Sequence, residues 1–113
     1  MSIGLFDSGL GGLSVARALR ALLPRHDLIY LADTAHCPYG PLPVECVRER
    51  SLACARWLIA QGARVVVVAC NTATSAAVEA LRAALPTPIV GMEPGVKPGV
   101  AATRSGRVAV LAT

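Results

Sequence analysis

Val65-Val-Val-Val-Ala-Cys-Asn-Thr72 is the most informative stretch of the sequence, and it leads directly into a helical period from Ala73 to Leu85. A continuous run of β-branched residues is typical of a strand that is covered on both faces of a parallel sheet. The segment that follows places Val78, Leu81 and Leu85 on one side of a helix. A buried strand followed at once by a helix indicates one unit of an α/β protein.

The same alternation of apolar runs and helical periods extends over the rest of the chain. The other predicted strands are Ile3–Phe6, Leu28–Leu31, Ile89–Met92 and Val108–Ala112, and the other predicted helices are Leu13–Leu23, Val44–Gln61 and a shorter one opened by Glu93–Pro98. The order β-α-β-α-β-α-β-α-β implies right-handed crossovers with helices on both faces of the sheet. The predicted fold class is therefore α/β with an open parallel sheet.

Length and composition limit the classes of protein to consider. The 113 residues, of which 54% are hydrophobic, allow one compact domain with a packed core. The aliphatic runs are far shorter than the roughly 20 residues of a membrane span, and no basic n-region opens the chain, so we expect no membrane association and a cytoplasmic location. The net charge of +4 comes from scattered arginines without a basic run. No nucleic-acid partner is expected.

The end of the sequence has an unusual organisation for an α/β domain. Val108–Ala112 is an apolar run with no covering helix after it. We therefore predict an N-terminal α/β domain over residues 1–106, with residues 107–113 as the first strand of a truncated second domain.

The four cysteines are expected to be reduced thiols, because the composition is aliphatic and no secretory signal is present. No CxxC pair occurs, so no metal site is expected. Cys46 and Cys54 lie within a predicted helix and are interpreted as packing residues. His36 and Cys37 are adjacent in a loop, where neighbouring side chains rarely point the same way, so a catalytic pair there is the less favoured interpretation.

Polar residues stand where the predicted strands end. Asp7-Ser8, Asp33 and Cys70-Asn-Thr72 follow strands one, two and three, and Pro38-Tyr-Gly40 lies in the long loop after Asp33. Ligands of open parallel sheets bind beyond the carboxyl ends of the strands, so these residues are expected to converge on one site.

Each of these groups has a chemical and a purely structural interpretation. Gly9-Leu-Gly-Gly12 can present amides to an anion or only permit a tight turn and close helix packing. Asp7 can act on a substrate or cap the following helix. Cys70 precedes a helix, where a thiolate is favoured, but free cysteines are often small buried hydrophobes. The Tyr39 hydroxyl can bind a carboxylate, or its ring can simply be packed.

Four segments in register resemble the N-terminal half of bacterial glutamate racemases. They are Asp7-Ser-Gly-Leu-Gly-Gly-Leu-Ser-Val15, Ala32-Asp33 with Cys37-Pro-Tyr-Gly40, Val68-Ala-Cys-Asn-Thr-Ala73 and Pro88-Ile-Val-Gly91. The resemblance implies one domain of a normally two-domain, pseudo-symmetric racemase. It also implies interconversion of L- and D-glutamate for peptidoglycan synthesis, without pyridoxal phosphate, any other cofactor or a metal.

In that family, two cysteines on opposite sides of the substrate α-carbon transfer the proton. Carried over by the resemblance, Cys70 and Asp7 are the catalytic residues. The substrate-binding residues that it implies are Asp7, Ser8, Pro38, Tyr39, Gly40, Cys70, Asn71 and Thr72. Thr74 stands where the family often has serine.

The sequence departs from the family in lacking the second half with its Cys-Thr-His motif, because no cysteine follows Cys70. We therefore expect the chain alone to be inactive or nearly so. A less favoured hypothesis is a homodimer that brings two Cys70 thiols to one cleft. The alternatives in function are a racemase of aspartate or another acidic amino acid, and a non-catalytic module that binds an acidic amino acid.

Overall fold

A computed structural model describes residues 1–112 as a parallel sheet between helices. The strands are β1 (Ser2–Asp7), β2 (Asp27–Ala32), β3 (Ala63–Val68) and β4 (Ile89–Gly91), and the helices are α1 (Leu13–Leu22), α2 (Val44–Ala60), α3 (Asn71–Ala84) and α4 (Val96–Ala102). A single 3-10 turn, Thr34–His36, interrupts the long loop after β2. The predicted α/β class and the parallel sheet are confirmed.

The strand order is β2-β1-β3-β4, and every neighbouring pair is parallel. The chain moves from β1 to β2 in one direction, then crosses back over β1 to β3 and continues to β4. Right-handed crossovers place α1 on one face of such a sheet and α2 and α3 on the other. The order of strands therefore reverses between β1 and β3, which is where a ligand crevice opens in this topology.

The two faces of the sheet carry two separate cores. Alternate residues of β1 point to opposite faces, as the strand period requires. Ile3 and Leu5 are buried with Val67 under α1, whereas Phe6 belongs to the larger cluster. That larger cluster packs β1 and β3 against α2 and α3, and its buried members include Val47, Leu58, Val66, Val68 and Leu81.

The predicted fifth strand is wrong for the residues that the structure describes. Residues 108–112 have no strand structure, and Leu111 is 99% exposed. An apolar β-branched pattern becomes a strand only where a neighbouring strand supplies backbone partners, and the neighbour of β3 here is β4. Thr113, the last residue of the predicted first strand of a second domain (residues 107–113), lies outside the described residues. The domain boundary after residue 106 stays a prediction.

Within residues 1–112, no helix combines the length and the apolar character that crossing a membrane requires.

The close packing of α2 on β1 depends on Gly4. A Cβ atom added there would lie 2.9 Å from the Cβ of Ala63 and 3.0 Å from the Cβ of Leu58. Both neighbours are buried, so neither has room to move.

We expect Gly4→Ala to lower the free energy of unfolding by about 1–3 kcal/mol, because overpacking forces the backbone of β1 away from α2. Urea denaturation followed by circular dichroism measures the change. Gly95→Ala is the control, since its new Cβ would meet only the Cγ of Pro98 at 3.7 Å. Equal stability of Gly4→Ala and the unaltered chain would show that α2 does not pack as described.

Candidate functional site

An open cavity of about 790 Å³ lies at the carboxyl ends of β1 and β3. The structure brings together there the eight substrate-binding residues that the family resemblance implies, Asp7, Ser8, Pro38, Tyr39, Gly40, Cys70, Asn71 and Thr72. The strand-end pattern predicts Asp33 for the same site, and this is wrong, because Asp33 pairs with Arg50 and does not line the cavity. Residues from the far end of the described chain, Val110, Leu111 and Ala112, also line the cavity. The reversal of strand order thus coincides with the convergence of the polar residues.

Cys70 is the N-cap residue of α3. Its Sγ accepts the backbone N–H of Ala73 at 3.4 Å and lies 3.9 Å from the Oγ of Ser8. The residue is only 7% exposed. The amide of Ala73 and the hydroxyl of Ser8 thus hold the sulfur at the N-terminus of the 14-residue helix α3, at the edge of the cavity.

The Asp7 carboxylate is buried and held by backbone amides on both oxygens. Oδ1 accepts the N–H of Ser8 at 2.8 Å, and Oδ2 accepts the N–H of Gly12 at 2.7 Å. These two bonds fix the orientation of the carboxylate at the end of β1. The amide of Gly12 thus faces an anion that belongs to the protein itself.

Gly12 also permits the close approach of α1 to the sheet. A Cβ atom there would lie 2.9 Å from the Cβ of Ala69 and 2.9 Å from the hydroxyl of Tyr30. Tyr30 donates its hydroxyl to the carbonyl of Gly9 at 3.0 Å and so holds the glycine turn. Burial, and after it the nearby charge of Asp7, raises the pKa of Tyr30. The turn is therefore both tightly packed and fixed by hydrogen bonds.

Tyr39 is packed in the core, and its hydroxyl is used within the chain. The residue is 1% exposed, and its hydroxyl donates to Oδ2 of Asp33 at 2.5 Å. Burial, and then the hydrogen bond to Asp33, strongly raises the pKa of Tyr39. The structure thus favours the packed-aromatic interpretation over a hydroxyl directed at a ligand. Tyr39 is still among the residues that line the cavity, together with Pro38 and Gly40.

Asp33 anchors this loop through an ion pair with α2. Arg50 donates Nε to Oδ2 at 3.0 Å and Nη2 to Oδ1 at 2.9 Å, and His36 Nδ1 lies 3.0 Å from Oδ1. Burial alone would raise the pKa of Asp33, but the hydrogen bonds from Arg50, Tyr39 and His36 outweigh it and lower the pKa to about 2. The carboxylate therefore stays charged and ties the loop to the helix.

The four cysteines are all free thiols, as predicted. Cys54 is buried beside Tyr39, which confirms its packing role. The same prediction is wrong for Cys46, which is exposed. The buried stripe of α2 includes residues 47, 51, 54 and 58, and position 46 lies about 100° away from that stripe around the helix.

His36 and Cys37 do not form a pair. The imidazole faces Asp33, whereas the sulfur of Cys37 lies near Gly9, where it would be 3.3 Å from an added Cβ. Neither residue is among those that line the cavity. The divergence agrees with the expectation that adjacent loop residues point in different directions.

Sequence reasoning missed three residues that support the site: Tyr30, Arg50 and Thr74, whose hydroxyl accepts the backbone N–H of Met92. Each acts through a contact between segments that are distant in sequence, since Arg50 reaches a carboxylate 17 positions away and Tyr30 a carbonyl 21 positions away. The position of Asp33 at a strand end was the one available signal that it would need a cationic partner.

The ion pair of Asp33 with Arg50 should make the free energy of unfolding depend on pH in the acid range. Because its folded pKa is about 2 against an ordinary 3.8, the carboxylate stabilises the fold above about pH 4, and this stabilisation is lost as the pH falls from about 4 to about 2. We expect Arg50→Gln to lower the free energy of unfolding at pH 7 by about 1–2 kcal/mol and to flatten its dependence on pH below 4.

Urea denaturation at pH values from 2 to 7 measures this effect. Arg56→Gln is the control on the same helix, because Arg56 is exposed and substitutions at such surface positions change stability little. An unchanged acid profile in Arg50→Gln would contradict the proposed anchoring.

Comparison with known proteins gives one consistent result. The Asp/Glu/Hydantoin racemase family matches residues 13–113 of the chain. A glutamate racemase of Cupriavidus pinatubonensis is 59% identical over 111 residues, which are 98% of this chain and 41% of that protein. A glutamate racemase of Pseudomonas aeruginosa is 56% identical over 113 residues, 99% of this chain and 43% of that protein.

Solved structures agree in fold as well as in sequence. The glutamate racemase of Aquifex pyrophilus matches with a TM-score of 0.85 at 44% identity, over 92% of this chain and 42% of that one. The Escherichia coli glutamate racemase, solved with L-glutamate and the activator UDP-MurNAc-Ala, matches with a TM-score of 0.88 at 38% identity. The match covers 93% of this chain and 40% of that chain. The chain thus spans about two fifths of the length of these relatives.

Proposed function

The chain belongs to the Asp/Glu/Hydantoin racemase family, and on that premise we propose that it carries the Cys70 half of a cofactor-independent glutamate racemase. The observation that carries the proposal is the placement of Cys70 in one cavity with Asp7 and Ser8. A thiol at a helix N-terminus beside a fixed carboxylate is suited to moving a proton. The parent activity is the interconversion of L- and D-glutamate, which supplies D-glutamate for peptidoglycan.

The reaction begins with proton removal by Cys70. The thiolate takes the α-proton of bound glutamate, so that an S–H bond forms, the C–H bond breaks, and the electron pair stays on the α-carbon. The α-proton is a very weak acid, so the base must be oriented and shielded from water. An acid on the opposite face then returns a proton to the α-carbon and inverts it. In the reverse direction the two groups exchange roles.

The ends of the substrate match the charges of the cavity. Asn71 and Thr72 lie in the first turn of α3, where the helix dipole and polar groups favour a carboxylate. The Asp7 carboxylate, fixed at the end of β1, faces the cavity where an ammonium group gains from a negative partner. Pro38, Tyr39 and Gly40 complete the lining of the cavity on the loop after β2. Glutamate is thereby held with its α-carbon towards Cys70.

In the racemases that the chain resembles, the second acid is also a cysteine, and residues 71–113 contain none. Of the other three cysteines, none lines the cavity. We place the Cys70 half in residues 1–106 and the start of a second domain at residues 107–113, because the matched glutamate racemases are more than twice as long as this chain. The protein acts in the cytoplasm, where peptidoglycan precursors are made. A homodimer that supplies a second Cys70 is the less favoured arrangement.

A fusion tests this proposal. Residues 1–113 are joined to the remaining part of the Cupriavidus pinatubonensis relative, and L-glutamate is followed in deuterated water by NMR and chiral chromatography. We expect the fusion to exchange the α-hydrogen and to racemise glutamate. Cys70→Ala should reduce the rate by at least about 1,000-fold, because it removes the base on one face.

The matched control is Cys46→Ala, which removes an exposed thiol on α2 and should leave the rate unchanged. The 113-residue chain alone should racemise glutamate at or near the background rate. Faster turnover of aspartate than of glutamate by the fusion would identify an aspartate racemase instead. Glutamate binding in calorimetry that survives Cys70→Ala, with no exchange in the fusion, would identify a binding module.

A further inference from the structure

The buried hydroxyl of Thr74 connects the segment that carries Cys70 to the end of β4. Its Oγ1 donates to the carbonyl of Cys70 at 2.9 Å, with the carbonyl of Val68 as a second acceptor at 3.3 Å. The same oxygen accepts the backbone N–H of Met92 at 3.0 Å. Thr74 is 6% exposed, so water competes little for these bonds. One oxygen atom thus joins the end of β3, the N-cap of α3 and the residue after β4.

The bond from Met92 goes beyond what a threonine ordinarily does in a helix. Threonine hydroxyls often bond to the carbonyl four residues earlier, as Thr74 does to Cys70. Met92, however, lies 18 residues further along the chain, just beyond the last residue of β4. Met92 and Pro94, two residues further along, line the same cavity as Cys70. Thr74 therefore ties one wall of the cavity to the backbone that carries the thiol.

Gly91 fixes the side-chain conformation of Thr74. A Cβ atom at Gly91 would lie 2.7 Å from the Cγ2 of Thr74 and 3.6 Å from its Oγ1, so the methyl group points directly at the β4 backbone. Rotation of the Thr74 side chain to make room would move Oγ1 away from its three partners. The absence of a side chain at Gly91 is thus a condition for the three hydrogen bonds.

We propose that Thr74 is a positioning residue, which holds the Cys70 sulfur at a fixed place relative to the wall formed by Met92 and Pro94. This role rests on the proposed function, in which Cys70 moves the α-proton of a bound substrate. Proton transfer needs its partners in place to within a fraction of an ångström, and a displacement of about 1 Å can cost roughly 100-fold in rate. Thr74 acts through the backbone of Cys70 and touches no substrate.

Two substitutions separate the hydroxyl of Thr74 from its methyl group. Thr74→Val keeps the shape and removes the hydrogen bonds, whereas Thr74→Ser keeps the hydroxyl. In the 113-residue chain we expect Thr74→Val to speed amide hydrogen exchange of Met92 by about tenfold or more. The alkylation of Cys70 by iodoacetamide, followed by peptide mass spectrometry at one pH, should become at least about threefold faster as the sulfur becomes more accessible.

Thr74→Ser should keep both rates within about twofold of the unaltered chain, because it retains all three hydrogen bonds. Thr103→Val is the matched control, since it removes a hydroxyl-to-carbonyl bond of 2.8 Å outside the cavity lining. It should leave both rates unchanged. Circular dichroism confirms that each variant is folded.

Gly91→Ala provides an independent disturbance of the same contact. Its Cβ would displace the methyl group of Thr74, so we expect the amide hydrogen of Met92 to exchange faster, as we also expect for Thr74→Val. The double variant Gly91→Ala, Thr74→Ser lacks the methyl group of residue 74. We expect its Met92 amide to exchange at a rate within about threefold of that in the unaltered chain. Failure of the double variant to recover would show that the contact between Gly91 and Thr74 does not control the hydrogen bonds.

The activity of the fusion supplies the catalytic readout. There Thr74→Val should lower kcat by about tenfold or more with little change in KM, and Thr74→Ser should restore kcat. The proposal is overturned if Thr74→Val leaves the rate of Cys70 alkylation unchanged. It is also overturned if Thr74→Ser lowers kcat as much as Thr74→Val does. The thiol and amide readouts need no turnover of glutamate, so a fusion that does not racemise glutamate would refute the proposed function separately.

Discussion

The parallel pairing of β1 with β3 is the constraint on which the site depends. Phe6 pairs with Val68 in register, and the hydrogen bonding continues past the strands, where the N–H of Ala69 donates to the carbonyl of Phe6 at 2.9 Å. The two chains therefore leave the sheet side by side, which brings Ser8 to within 3.9 Å of the Cys70 sulfur. Strand order reverses at this pair, so the helices that follow β1 and β3 lie on opposite faces of the sheet and the crevice opens between them.

The fold and the membership of the site could be predicted because both follow from local patterns. The β-branched run before Cys70 specifies a buried parallel strand, and the rule that ligands bind at the carboxyl ends places Asp7, Tyr39 and Cys70 at one edge. The eight residues that the family resemblance implies do line the cavity, whereas Asp33, predicted from its place at the end of a strand, does not. The order of the strands was not predicted, since periodicity defines elements and not which of them are neighbours.

The remaining features depend on contacts that no local pattern encodes. The sequence is equally consistent with a Tyr39 hydroxyl that binds a ligand and with one that is buried in the core. Arg50 on α2 holds Asp33 in place, and the Tyr39 hydroxyl bonds to Asp33 within the core. Exposure of Cys46 depends on which stripe of α2 faces the sheet. The run at 108–112 shows the same limit, because strand formation needs a partner that the sequence pattern does not identify.

Most of the buried polar groups around the cavity are satisfied within the chain itself. Asp7 is held by two amides, Asp33 by three side chains, and the hydroxyl of Thr74 by three backbone segments. A carboxylate or hydroxyl that is already bonded need not reorganise when a substrate binds, and this preorganisation lowers the cost of stabilising developing charge. Among the described residues, the Cys70 sulfur has long contacts to Ala73 at 3.4 Å and to Ser8 at 3.9 Å, so it is held less tightly than the carboxylate of Asp7 or the hydroxyl of Thr74.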